Sequence, residues 1–290
     1  MTERRGAWLI LAAAVLWGTT GTARSLGPDA ASPPAVGVTR LLVAGPALAL
    51  LALVRRTSVA VAPTERGPTV VAALAMAVYQ PAFFTAVDRT GVALGTVVAI
   101  GSAPVLAGVL EWIIHRVRPS SRWMAATAVA VAGVAMLTVS GERVGADASG
   151  VGFALGAGLA YAVYVLSSAR LVRSTSAVGA MAAVFLLAGL MSLPALALVD
   201  LAWVATAAGA GMVVHLGVVT TAVAYVLFGS GLRTTETSTA ATLTLGEPVT
   251  AAVLGVAVLG ERPGALAWIG VALVLIGLAV AVRTAPTPSR

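Results

Sequence analysis

The sequence predicts an all-α integral membrane protein. Ten transmembrane helices are expected, arranged as two inverted five-helix repeats with the N- and C-termini cytoplasmic. Three observations lead there. Of 290 residues, 59% are hydrophobic and 10% charged, with a mean hydropathy of +0.98; a soluble chain carries about 25% charged residues. Apolar runs long enough to cross a bilayer, roughly 20 residues each, follow one another with short connections. The chain also matches itself at a single offset of 144 residues.

Taken in order, the runs fall at 7–26, 35–54, 68–87, 91–114, 123–140, 150–169, 177–198, 203–230, 237–259 and 265–282. The first follows MTERR and has the look of a signal peptide, but it is too long for an h-region, so it reads as a retained first helix. Polar punctuation separates the runs, as in GPDAASPP at 27–34, RRTSVAVAPTERGP at 55–68 and GERVGADASG at 141–150. The tail reads as disordered over 284–290. The two repeats span 1–144 and 145–283.

Cysteine is absent, which excludes disulfides, thiolate metal sites and cysteine nucleophiles. All 18 basic residues are arginine. Without lysine there is no Walker A phosphate loop and no Schiff base. No cofactor is expected, and no nucleophile–base pair marks an enzyme. A pI of about 11.2 invites a nucleic-acid reading, but the arginines lie scattered among short loops, so no nucleic-acid partner is expected. They carry topology instead. With a cytoplasmic N-terminus, Arg4, Arg5, Arg55, Arg56, Arg66, Arg116, Arg118, Arg122, Arg170, Arg173, Arg233, Arg283 and Arg290 fall inside. Only Arg24, Arg89, Arg143 and Arg262 fall outside, the last three close in sequence to Asp88, Glu142 and Glu261. That bias obeys the positive-inside rule, and one miscounted helix would invert it downstream.

At the 144-residue offset Trp17 meets Tyr161, Gly45 meets Gly189, and Arg89-Thr90 meets Arg233-Thr234. Pro104 meets Pro248, Arg118-Pro119 meets Arg262-Pro263, and Gly133 meets Gly277. Five helices per half is an odd number, so the second half enters the membrane inverted. Inverted repeats recur in secondary transporters, with the substrate site at the repeat interface near the midplane.

Several short motifs carry a family likeness: Trp17-Gly18, Thr39-Arg40-Leu41-Leu42, Pro104, the run from Pro248 to Gly260-Glu261, Trp268-Ile269-Gly270 and Gly277. In this order they resemble the drug/metabolite transporter superfamily, in particular its ten-helix EamA type, over residues 7 to 282. The resemblance implies secondary export of small metabolites, amino acids or drugs, with both termini cytoplasmic. The chain departs from the family at His115-Arg116-Val117, where many members have a Gly-Glu turn, so nothing is carried over to that turn.

The stretch LGEPVTAAVLGVAVLGERPG at 245–264 places Glu247 and Pro248 near the middle of the ninth run. A charge at the bilayer centre costs about 3 kcal/mol on insertion scales. It is tolerated facing protein, water or a partner. Glu247 therefore either binds a substrate amine or a coupling proton, or serves as an internal partner that sets packing. Its repeat mate is Ala103, so the acid belongs to one half only. Trp17, Thr20 and Arg24 share one helical face, as do Tyr161, Tyr164 and Ser168. Trp17 and Tyr161 are expected near each other at mid-membrane, lining an aromatic cavity or packing between helices.

Tyr79, Gln80 and Phe83, beside Pro81, form a second polar interruption, and Ser102 is placed on the same wall. Arg40 holds a substrate carboxylate or ties helix ends together; with Pro104 and Pro248 it forms a structural or gating set. His215 is a coupling candidate or a satisfied buried histidine. Glu111 is expected to reach Arg116, and Glu261 to sit in an outer turn.

The expected function is alternating-access export of a small amphipathic metabolite across the cytoplasmic membrane, proton-coupled or uniport, by a monomer or homodimer. The expected cavity is lined by Trp17, Tyr79, Gln80, Phe83, Ser102, Tyr161, Tyr164, His215 and Glu247. The partners are a small-molecule substrate and membrane lipid. A flippase for a lipid-linked or amphiphilic substrate is the alternative, and it would need a lateral opening.

Overall fold

The computed structural model describes residues 2–116, 118–139 and 148–284. The expected disordered tail from 285 onward, Val117, and the connection holding Glu142 and Arg143 lie outside the described residues. The regular structure is helical, with no strand among the described residues. Eight spans are long and apolar enough to cross a membrane: 5–25, 33–54, 95–114, 148–174, 177–198, 207–232, 237–259 and 265–283. Outside this set fall the expected run 68–87 and the shorter apolar helix Ser121–Leu137.

The elements are α1 (Thr2–Ser25), α2 (Pro33–Val54), α3 (Arg66–His115), α4 (Ser121–Val139), α5 (Ala148–Ser174) and α6 (Ala177–Ser192). They continue with α7 (Ala207–Val214), α8 (Ala224–Leu232), α9 (Thr237–Leu243), α10 (Glu247–Leu259) and α11 (Ala265–Thr284). Large side chains such as Trp8 (61% exposed), Leu53 (73%) and Leu198 (86%) point outward. In water these would be costly; against lipid tails they lose nothing.

α3 departs from the expected pair of helices, since its 50 residues run helical with no intervening coil. A straight helix of that length would measure about 75 Å. Both its ends nevertheless lie at one end of the bundle. Glu65, at its start, pairs with Arg170 near the end of α5 (Nε–Oε2 3.0 Å). Glu111, near its other end, accepts the Ser238 N–H (3.0 Å), and nearby Arg233 donates to the Thr175 carbonyl (3.1 Å). Along α5, Tyr161 meets Tyr79, Gly150 lies against Ala86 and Thr90, and Gly158 lies against Ala99 and Ser102. The helical run therefore passes up α5 and returns, reversing between Ala86 and Ala99.

Three other expected runs are interrupted. Leu193–Leu198 tightens into a 3₁₀ turn after α6, where Pro194 lacks a donor. A π-helix, His215–Val223, separates α7 from α8. A 3₁₀ turn, Thr244–Gly246, separates α9 from α10. Pro248 thus sits in the first turn of α10, where its missing N–H has no helical partner to lose. The proline starts a helix rather than bending one. Glu247 beside it places a carboxylate at the N-terminal, partially positive end of α10.

Lipid offers no hydrophobic force between helices, so close van der Waals packing at small residues holds them. Contacts come in pairs exchanged by the 144-residue offset. Gly133 of α4 lies against Gly270 of α11, while Gly277 lies against Ala126. Gly6 lies against Thr234, while Gly150 lies against Thr90. Gly158 faces Ser102, while Gly246 faces Ala14. Likewise α2 packs on α6, α1 packs on α8 and α10, and α5 packs on both arms of α3.

A Cβ added at Gly133 would meet the Gly270 carbonyl and the Val274 amide, whereas one at Gly156 would meet nothing. Gly133→Leu is expected to destabilise by about 1–3 kcal/mol, as overpacking does, and Gly156→Leu is not. Thermal melts of the two variants in one detergent check this; equal melting points would contradict it.

Candidate functional site

A cavity of about 100 Å³ lies at the centre of the bundle. α1 contributes Trp17 and Thr20, and α2 contributes Arg40. Tyr79, Gln80 and Phe83 come from the first arm of α3, and Ala99, Ile100 and Ala103 from the second. Tyr161 of α5, Tyr225 of α8, Thr244 and Glu247 close it. Sequence neighbours at helical spacing explain the shared walls: Trp17 and Thr20, Gln80 and Phe83, and Ala99 and Ala103 each lie three or four residues apart.

The walls are largely aromatic. Trp17 packs on Tyr225 with ring centroids 4.9 Å apart, and Tyr79 packs on Phe83 (5.9 Å) and Tyr161 (5.6 Å). Behind Tyr225, Phe185 and Phe228 extend the cluster. The polar groups are fewer and mostly unpaired. The Trp17 indole nitrogen and the Tyr161 hydroxyl are buried without a hydrogen-bond partner. Arg40 is 9% exposed, and its Nε donates to the Thr221 hydroxyl (3.2 Å). Its terminal amino groups have no further partner among the described residues. No ion pair joins Arg40 to Glu247, whose carboxylate also lacks a protein hydrogen bond there. Buried polar groups are ordinarily paired, so this wall presents N–H and O–H donors and a carboxylate acceptor to whatever fills the space.

The π-helix sets the position of Arg40. Thr221 donates to the Leu216 carbonyl five residues back (2.7 Å), and the same hydroxyl oxygen receives the guanidinium. π-turns inside helices concentrate at functional sites.

Six of the nine residues expected on the cavity wall line it: Trp17, Tyr79, Gln80, Phe83, Tyr161 and Glu247, joined by Arg40. Three do not. Ser102 turns toward the α3–α5 contact, where it donates to the Ala99 carbonyl (3.3 Å) and lies against Gly158. Tyr164 sits a turn deeper, fully buried, donating to Met181 Sδ (3.3 Å) and stacked on Phe228. His215 binds Thr19 through Nε2 (2.9 Å), tying the π-helix to α1; the Thr19 proton goes to the Leu16 carbonyl (2.7 Å), so Nε2 is the donor. Pro104 and Pro248 are buried beside Ala103 and Glu247.

Sequence reasoning missed Tyr225, Thr244, Ala103, Ile100 and Ala99 as wall residues. The offset held a signal for one of them. Ala103 lies 144 residues before Glu247 and both line the cavity, as do Ile100 and Thr244 at the same spacing. No three of His, Asp or Glu converge on a metal-sized point among the described residues.

At the end of the bundle where both ends of α3 lie, Glu111 caps α9 rather than reaching Arg116. Glu236, just outside the apolar span 237–259, has its pKa raised to about 7, first by burial and then by the Glu111 carboxylate, with Arg173 opposing. Folding thus favours the protonated acid. Its stabilising contribution is full at low pH and is lost as pH rises through about 7. The melting temperature is expected to fall between about pH 5 and about pH 8, and Glu236→Gln to remove much of that fall. An identical slope in the variant would argue against it.

A many-spanning helical membrane protein enclosing a cavity with unpaired polar groups is the class this architecture defines. A model of the EamA-like transporter family matches residues 4–139 and again residues 148–283. The chain belongs to the EamA-like transporter family. It is similar to the uncharacterized transporter YwfM of Bacillus subtilis (strain 168), with 42% identity over 271 residues, 93% of this chain and 91% of that one. The putative permease-like protein YdzE of the same organism is 33% identical over 69 residues, 24% of this chain and 88% of that one. A solved crystal structure superposes with a TM-score of 0.83 over 96% of this chain and 97% of its own, at 22% identity, a likeness of fold alone. Family and relatives are described as transporters, not enzymes.

Proposed function

We propose that this chain is a ten-crossing secondary transporter of the cytoplasmic membrane, made of two inverted halves. Its cargo is a small amphiphile carrying both a carboxylate and an ammonium group. The halves are supported by the two family matches, whose starts and ends each differ by 144 residues, and by the exchanged contacts Gly133–Gly270 and Gly277–Ala126. The arginine bias supports cytoplasmic termini. The family resemblance supplies the outward direction.

One observation carries the choice of cargo. The Arg40 guanidinium, bonded only through Nε, and the unpaired Trp17 indole and Tyr161 hydroxyl share a cavity with the Glu247 carboxylate. Arg40 presents a fork suited to a carboxylate, Glu247 accepts from an ammonium, and the aromatic walls face the cation. Glu247 alternates between two neutralising partners, the cargo's ammonium and a proton. Exchange of one for the other couples cargo leaving to protons entering.

L-norleucine, hexanoate and pentylamine share one carbon chain and differ in which charged groups they carry. Norleucine is expected to stabilise the purified protein most in thermal shift, since a ligand that binds the native state raises its melting point. Arg40→Gln is expected to weaken norleucine about tenfold or more, the scale of a charged hydrogen bond, and to leave pentylamine unaffected. Glu247→Gln is expected to do the reverse, sparing hexanoate, and to abolish the pH dependence of transport in proteoliposomes. Equal stabilisation by all three compounds, or indifference to both substitutions, would refute this reading.

A further inference from the structure

A second cavity, of about 150 Å³, lies against the first, between α2, the first arm of α3 and the end of α6. Val38, Leu41, Ala77, Pro81 and Met191 make it largely apolar. Gln80 lines both cavities. It is 5% exposed, and its side-chain amide has no partner among the described residues. Pro81 adds a second polar feature: lacking an N–H, it leaves the Ala77 carbonyl without its usual helical donor. The partition between the cavities is thus a buried, unpaired amide at a weakened point of the helix.

The far side of this second cavity reaches the outer surface of the bundle. Leu74, Val78 and Pro81 fall at i, i+4 and i+7 on one face of α3, and all three are exposed. Leu190 (61% exposed) and Met191 at the facing end of α6, and Leu193 in the turn after it, are exposed. Both rims are apolar and face where lipid tails would lie. Volume argues in the same direction. Ligand sites commonly run from about 300 Å³ upward. The central cavity of about 100 Å³ holds a charged head but little more; joined to the second, it gives about 250 Å³.

We propose that the second cavity is a lateral subsite for the apolar end of the cargo, parted from the charged head's site by Gln80 and open to the bilayer between Pro81 and Met191. This rests on the central cavity holding the head, as above. Cargo is then selected by tail as well as by charge, and the tail meets lipid before the head leaves Arg40. The lateral opening is the feature that a lipid-linked cargo would also require.

The chain has no cysteine, so Val38→Cys labelled with bimane reports on this cavity alone; Ala195→Cys, which lines the same cavity, substitutes if Val38→Cys folds poorly. In nanodiscs of brominated phosphatidylcholine, quenching is expected to approach that at lipid-facing Val78→Cys and to exceed that at buried Met76→Cys, while aqueous iodide has no effect. Quenching at the Met76 level, or by iodide instead, overturns the lateral opening. L-norleucine at saturation is expected to relieve the lipid quenching, and L-alanine, which has the head without the tail, is not. Each buried methylene is worth about fourfold in affinity, so norleucine is expected to bind more than about tenfold tighter than alanine, a preference that Val38→Phe, by filling the subsite, abolishes. Bound norleucine that leaves the quenching unchanged, or a preference that survives Val38→Phe, overturns the assignment of the tail. If neither amino acid binds, the reading of the central cavity fails, while the lipid quenching still decides the opening.

Discussion

Backbone touching backbone is the constraint on which this molecule depends. Where Gly133 meets Gly270, and again where Gly277 meets Ala126, nothing larger than a hydrogen fits between helices. In lipid, an apolar side chain gains nothing by leaving its surroundings, so helices hold together only as closely as their smallest residues permit. The glycines at these contacts are therefore not slack in the chain. They place α4 on α11, α2 on α6, and α1 and α5 at the distances that leave a space among them.

On that frame of paired contacts the chemistry is lopsided. At the 144-residue offset Arg40 meets Val184, and Glu247 meets Ala103. The paired contacts bring Arg40 and Glu247, far apart in sequence, to one cavity. Burial without an ion-pair partner is expensive for both groups. Relief comes from the cavity itself, from Thr221 on one side, and from the N-terminal end of α10 on the other. The 3₁₀ turn Thr244–Gly246 exists at a position where an unbroken helix would have put Glu247 mid-turn, away from any helix end.

Much of the fold was legible from apolar run length, because bilayer thickness dictates it. The wall residues Trp17, Tyr161 and Glu247 were legible because a polar or aromatic group at mid-membrane needs a reason to be there. Periodicity assigns a face but not a depth. Tyr161 and Tyr164 share a face, yet the cavity ends between them. Ser102 failed for a related reason, since its neighbour Gly158 offers a closer contact than the cavity does. His215, weighed as a coupling group or a satisfied histidine, is bonded to Thr19 off the wall; the π-helix that it opens had no sign in the sequence. The reversal within α3 did leave a trace: Asp88-Arg89-Thr90-Gly91 interrupts the apolar runs, and only the helical path of the backbone through it had no sign in the sequence.

The π-helix has one more consequence. It bonds five residues apart where its flanks bond four apart, so it holds a residue more than the α-helical path needs. Letting that surplus slip by one position turns everything beyond it by about 100°. Tyr225, on the cavity wall, lies just past the segment, and Thr221, which holds Arg40, lies inside it. The same slip would swing the ring off the wall and unhook the guanidinium. Two events on different helices are thus geared to one backbone register, like two hands of a clock on a common spindle.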